Sequence, residues 1–153
     1  MGRLWKTSLV LLAFSVVSSV CQAGLLKGVQ PGVRGGYHGD NEDFFLGVDA
    51  KFGVLTVNAN PSIEYVFVSD GTAIAFNADG FVSVLKLPAV TGWVGAGIGW
   101  MYVNPEAGDS STDSIINLIA GVELGVPLAP YLMVKWILDD KNDGFVVGAG
   151  IRF

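Results

Sequence analysis

Apolar and other residues alternate with a period of two along most of the chain beyond residue 24, in stretches of about ten residues broken by turn-forming residues. Segment 43–53 sets Phe44, Leu46, Val48, Ala50 and Phe52 on one side and Phe45, Gly47, Asp49, Lys51 and Gly53 on the other. Segment 114–125 repeats the pattern, with Ile116, Leu118, Ala120, Val122 and Leu124 against Asn117, Gly121, Glu123 and Gly125. In 90–103 the opposite side carries Gly95, Gly97 and Gly99, and in 144–153 it carries Gly148, Gly150 and Arg152. The same reading gives strands at 28–38, 60–69, 72–86 and 129–138, eight in all. An even number of strands returns the chain to the side it started from. No apolar run beyond residue 24 is long enough for a helix across a bilayer.

Alternation alone fits a soluble sandwich as well as a closed membrane barrel. Three features favour the barrel. The second face is rich in glycine and poor in charge, which suits a narrow interior better than a watery surface. The joining stretches also alternate in character. Those near 39–43, 69–71, 104–113 and 139–143 hold ten of the fourteen acids, while those near 54–59, 87–89 and 126–128 hold none. Such asymmetry matches longer outer loops against short periplasmic turns. Finally, Tyr37, Phe44, Phe67, Phe76, Trp100, Tyr102, Trp136 and Phe145 fall on the apolar face near the acidic end, where an interfacial girdle belongs. Phe52 and Phe153 begin a thinner girdle at the other end.

Composition points the same way. The chain is 51% hydrophobic and only 15% charged, with a mean hydropathy of +0.52, whereas a soluble domain carries about 25% charged residues. Arg34, Lys51, Lys135 and Arg152 with Asp49, Glu64, Asp79 and Glu123 fall on the inner face of the strands. On the lipid face each would cost about 2–4 kcal/mol at the midplane. The expectation is therefore a lumen closed by ion pairs, with eight strands leaving just enough room for side chains. The pairing itself depends on strand stagger, which the sequence leaves open.

The first 23 residues read as an export signal: Arg3 and Lys6, an apolar stretch from Leu9 to Val20, and Cys21-Gln22-Ala23 before a cut ahead of Gly24. The only cysteine would leave with it, so neither disulfides nor thiolate metal sites are expected in the barrel, residues 24–153. With Arg3 and Lys6 gone, seven bases would face fourteen acids, a formal charge of −7. That balance argues against nucleic acid as a partner.

These features resemble the small outer-membrane β-barrel family that includes opacity-type and OmpX-like proteins, over essentially all of 24–153. The resemblance is carried by Asn60-Pro61-Ser62-Ile63-Glu64-Tyr65-Val66-Phe67, Gly92-Trp93-Val94-Gly95-Ala96-Gly97-Ile98-Gly99, Asn117-Leu118-Ile119-Ala120-Gly121-Val122-Glu123 and the closing Val147-Gly148-Ala149-Gly150-Ile151-Arg152-Phe153. It implies an eight-stranded antiparallel up-and-down barrel in the cell outer membrane, with both termini in the periplasm. It also implies a terminal signal ending in Phe153 that is read by the outer-membrane insertion machinery. Lipid and lipopolysaccharide are the expected surroundings, and a monomer is the expected state. The loops are short, which argues against gripping a host surface.

Candidate chemistry is sparse. His38, the only histidine, precedes Asp40 at the rim with no serine beside it in sequence, so neither an enzyme nor a cofactor is expected. Residues 139–144 look superficially like a calcium loop, but Lys141 stands at a ligand position and no glutamate closes it. Phe45, Phe81, Trp93 and Tyr131 are expected to fill the interior. The reading is a structural or surface-interaction protein; the rival is a narrow porin-like channel for ions or small apolar solutes.

Overall fold

The computed structural model describes residues 28–54, 56–69, 71–138 and 143–153. The expected signal segment 1–23 lies outside them. Eight strands follow in chain order: β1 (Val29–His38), β2 (Asp43–Val54), β3 (Val57–Phe67), β4 (Gly71–Leu87), β5 (Val90–Pro105), β6 (Ser111–Leu124), β7 (Tyr131–Leu138) and β8 (Gly144–Arg152). Each pairs antiparallel with the next, and β8 returns to β1 to close the barrel. Closure gives every strand two neighbours, the condition for crossing hydrocarbon without stranded backbone groups. The expected fold class is the one observed.

The stagger is now defined. Hydrogen-bonded neighbours can be followed once round the wall from Val29 through Phe52, Ala59, Gly80, Ala96, Leu118, Trp136 and Phe145. The path meets β1 again at Gly39, whose N–H donates to the Phe145 carbonyl at 2.9 Å. It has climbed ten residues, from 29 to 39. A shear of that size goes with a steep strand tilt of about 40°.

Strand limits differ from expectation at three joins. β3 starts at Val57 instead of 60, because Asn58 and Ala59 pair with Gly53 and Phe52 and narrow the turn. The expected outer loop at 104–113 shrinks to 106–110, since Tyr102 and Val103 still pair with Thr112 and Ser111. Polar residues continue a ladder freely once the hairpin has left the apolar zone, so loss of alternation did not mark its end. β7 starts at Tyr131, two residues late, because Leu128 (φ 67°) and Ala129 (φ 23°) turn the chain ahead of Pro130.

Inside and outside are inverted relative to a soluble protein. Phe44, Leu46, Ile63, Phe67, Ile116, Leu118, Leu132 and Trp136 are all exposed on the outer wall, while Arg34, Asp49, Glu64, Asp79, Lys135 and Arg152 are buried within. The aromatic girdle forms along cross-strand rows: Tyr37 opposite Phe44, Phe44 opposite Phe67, Phe76 opposite Trp100, and Trp136 opposite Phe145. Tyr37 and Phe44 rings lie 5.2 Å apart, and Tyr65 and Phe67 meet edge-on at 5.0 Å.

Candidate functional site

The lumen is the one place where charged side chains are concentrated out of water among the described residues. Period-two alternation aims Arg34, Asp49, Lys51, Glu64, Asp79, Glu123, Lys135 and Arg152 inward from seven of the eight strands. The glycines of the same face then decide which of them can meet. Gly47 of β2 stands between Arg34 of β1 and Glu64 of β3. A Cβ there would come within 2.9 Å of the Glu64 Cγ; without it, Arg34 donates directly to Glu64 across the strand. Gly32 of β1 likewise lies between Asp49 of β2 and Arg152 of β8. Arg152 Nη2 donates to Asp49 Oδ2 at 3.1 Å over that gap.

Arg152 also donates to Glu123, whose other oxygen accepts from Lys51 Nζ at 2.6 Å. Asp49, Arg152, Glu123 and Lys51 thus form a continuous string of alternating charge. Tyr131 extends it, donating its hydroxyl to Asp49 Oδ2 at 3.0 Å beneath the Arg152 guanidinium, which lies 3.9 Å from the ring centre. Lys135 Nζ lies 3.4 Å from Asp79 Oδ2, linking β7 to β4 through the interior. The eight inner charges sum to zero. Both partners are almost wholly enclosed in the Arg34–Glu64, Lys135–Asp79 and Arg152–Asp49 pairs, whereas Lys51 and Glu123 each keep 15% side-chain exposure at the turn end.

Sequence reasoning passed over a set of neutral polar residues in the same layers. Ser62 accepts from Arg34 and also from Asn77 Nδ2 at 3.4 Å, and Arg34 Nη1 lies 3.7 Å from Met133 Sδ. Asn60, Asn77 and Asn117 are buried too. The available signal was parity: each sits on the same alternating face as a charged residue. Apolar side chains fill the remaining space. Phe45, Val66, Ala73 and Val146 pack in one cluster with Phe81, Trp93, Tyr131 and Met133, and the Phe81 and Trp93 rings lie 4.6 Å apart.

His38 differs from the expected rim position. It is buried, with its ring edge-on to Phe45 at 5.4 Å and Nε2 without a partner. The reason is parity again, since His38 shares the inward face of β1 with Arg34. Phe153 is 60% exposed at the end of β8, and its N–H donates to the Pro31 carbonyl at 2.9 Å, fastening the terminus to β1. Among the described residues no group of three or more His, Cys, Asp or Glu is arranged to hold a metal ion; Asp139–Asn142 of the calcium-like loop lie outside them.

No family model matches the chain, and no curated protein matches it. Solved structures do. The N-terminal β-barrel domain of Pseudomonas aeruginosa OprF matches with a TM-score of 0.67 at 13% identity, covering 82% of this chain and 96% of that one. Neisserial surface protein A (NspA) matches with a TM-score of 0.58 at 13% identity, covering 81% and 94%. A designed transmembrane β-barrel matches with a TM-score of 0.57 at 16% identity, covering 84% and 98%. Likeness to a designed sequence shows how far general physical rules set this shape. The fold is that of the small eight-stranded outer-membrane β-barrels.

Proposed function

We propose that the protein is a non-enzymatic outer-membrane barrel whose lumen is shut by its own ion pairs and whose role is structural or in surface interaction. The observation that carries the reading is the neutral set of four bases and four acids joined across the interior. Buried charges are tolerated only when paired, so each contact holds strands together and withholds its charge from passing ions. Lipid and lipopolysaccharide surround the apolar belt, and the insertion machinery engages the last strand through Phe153. The chain acts as a monomer without nucleic acid or cofactor. Among the described residues the exposed acids all lie at the loop end, and one similar structure is by name a surface protein. His38 supports no hydrolytic role, because an aromatic edge abuts it and Ser62 is engaged by Arg34.

The channel reading draws on one observation. Several lumen atoms, among them both amide atoms of Asn117 and Lys135 Nζ, have no hydrogen-bond partner within the protein, and polar groups in that position favour water. Conductance of the refolded chain in a planar bilayer decides between them. A closed lumen gives no steps in the unaltered protein and discrete steps in an Asp79→Ala, Glu123→Ala variant, which removes one partner from each of two ion-pair groups. Steady openings in the unaltered protein would replace the closed lumen with a channel.

A further inference from the structure

β4 does not stop where its neighbour does. The last β3–β4 pair is Asn58 with Phe81, and six further residues, Val82–Leu87, run on with β5 alone on one side. A register shift between Ser83 and Leu85 turns the tip, and the ladder continues through Leu85–Gly92, Lys86–Thr91 and Leu87–Val90. Gly125 of the next turn donates to the Ala89 carbonyl at 2.9 Å and braces the hairpin. Val84, Leu85 and Leu87 are 62%, 47% and 55% exposed, and Val126 and Leu128 beside them are 48% and 54% exposed. Lys86 lies among these residues and is the one exposed base among the described residues. No exposed acid shares this end; among the described residues every exposed acid lies at the loop end.

We propose that the β4–β5 tip is a lipid anchor that takes an anionic phospholipid of the near leaflet, with Leu85 and Leu87 among the upper acyl chains and the Lys86 ammonium on the headgroup phosphate. The inference rests on the membrane reading above. Two properties select this occupant. The charge is of the right sign, and the nearest acid, Glu123 on the same rung beyond Thr91, is already engaged by Lys51 and Arg152; a long amine beside apolar side chains reaches a headgroup while its stem stays in the interface. The barrel is thereby held at one level and one tilt by a single side of its rim.

The test uses the full chain in a Cys21→Ser background, refolded into vesicles and spin-labelled at Leu87→Cys or, in the middle of the outer belt, at Val48→Cys. Accessibility to oxygen and to a water-soluble nickel chelate is measured in phosphatidylcholine vesicles and in vesicles containing phosphatidylglycerol. The expected result is a lipid signature at position 48 in both. At position 87 the chelate is lost and oxygen gained, more strongly with phosphatidylglycerol, and Lys86→Gln abolishes that difference. Chelate access at 87 in both lipids, with 48 in lipid, overturns the anchor and leaves the membrane reading intact. Chelate access at 48 as well overturns the membrane reading itself. Equal signals at 87 in the two lipids overturn the anionic partner, and shielding of 87 from both reagents points to a protein surface and overturns the lipid one.

Discussion

Glycine at the inner face acts here as reserved volume. The residues that make the lumen possible carry no side chain: Gly32 and Gly47 leave the gaps across which charges meet, and Gly150 lies under the Tyr131 ring, 2.5–2.6 Å from where a Cβ would stand. The sequence displayed these glycines as a pattern, but the atom each makes room for became visible only with neighbours from other strands. A Gly32→Ala change would push a methyl to 2.8 Å from the Ile151 carbonyl and against the Asp49 carboxylate. Overpacking of this kind costs about 1–3 kcal/mol, and the urea midpoint for unfolding from vesicles should fall accordingly. Gly53→Ala has only Asn58 Oδ1 nearby, at 3.7 Å, and should stay within about 0.5 kcal/mol of the parent. Equal effects at both positions would mean that the gap over β1 is not what holds Asp49 and Arg152 together.

At the scale of the strand, parity was legible and length was not. Alternation placed Val48 outward and Asp49 inward without error, because a one-residue slip would send every charge of β2 into lipid. It misjudged where β5 ends and β6 begins, since Ser111 and Thr112 are polar yet still paired. Hydrophobic pattern reports the lipid boundary and hydrogen bonding reports the hairpin, and the two coincide only where a strand stops at the interface. That separation can be measured. Val48 lies midway between Phe44 and Phe52 on the outer face of β2, and Val48→Arg should cost about 2–4 kcal/mol in folding free energy measured in a bilayer. Thr112→Arg, exposed opposite Tyr102 at the level of the aromatic girdle, should cost about 0–1 kcal/mol. A similar penalty at both sites would place the membrane boundary above Thr112 and displace the girdle from its assigned level.

For the whole molecule, the decisive unknown was one integer. Eight strands and the inward charges follow from the chain alone, but which base meets which acid depends on the stagger at closure, a property of all eight pairings at once. A climb of ten residues brings Lys135 of β7 within reach of Asp79 on β4, two residues separated by 56 positions and three intervening registers that no local pattern encodes. Because the pair is buried on both sides, its net value is set by desolvation as much as by attraction. Removing one partner leaves the other charge stranded, so Asp79→Leu and Lys135→Met alone should each cost about 3–5 kcal/mol. The double change Asp79→Leu, Lys135→Met exchanges the pair for apolar bulk and should be neutral or stabilising by about 1–4 kcal/mol. Reversible unfolding in vesicles of the parent, both single variants and the double variant closes the cycle. Recovery in the double variant would show that the pair adds little net stability to the barrel. Additive losses would mean instead that Lys135 and Asp79 are each held by groups other than one another.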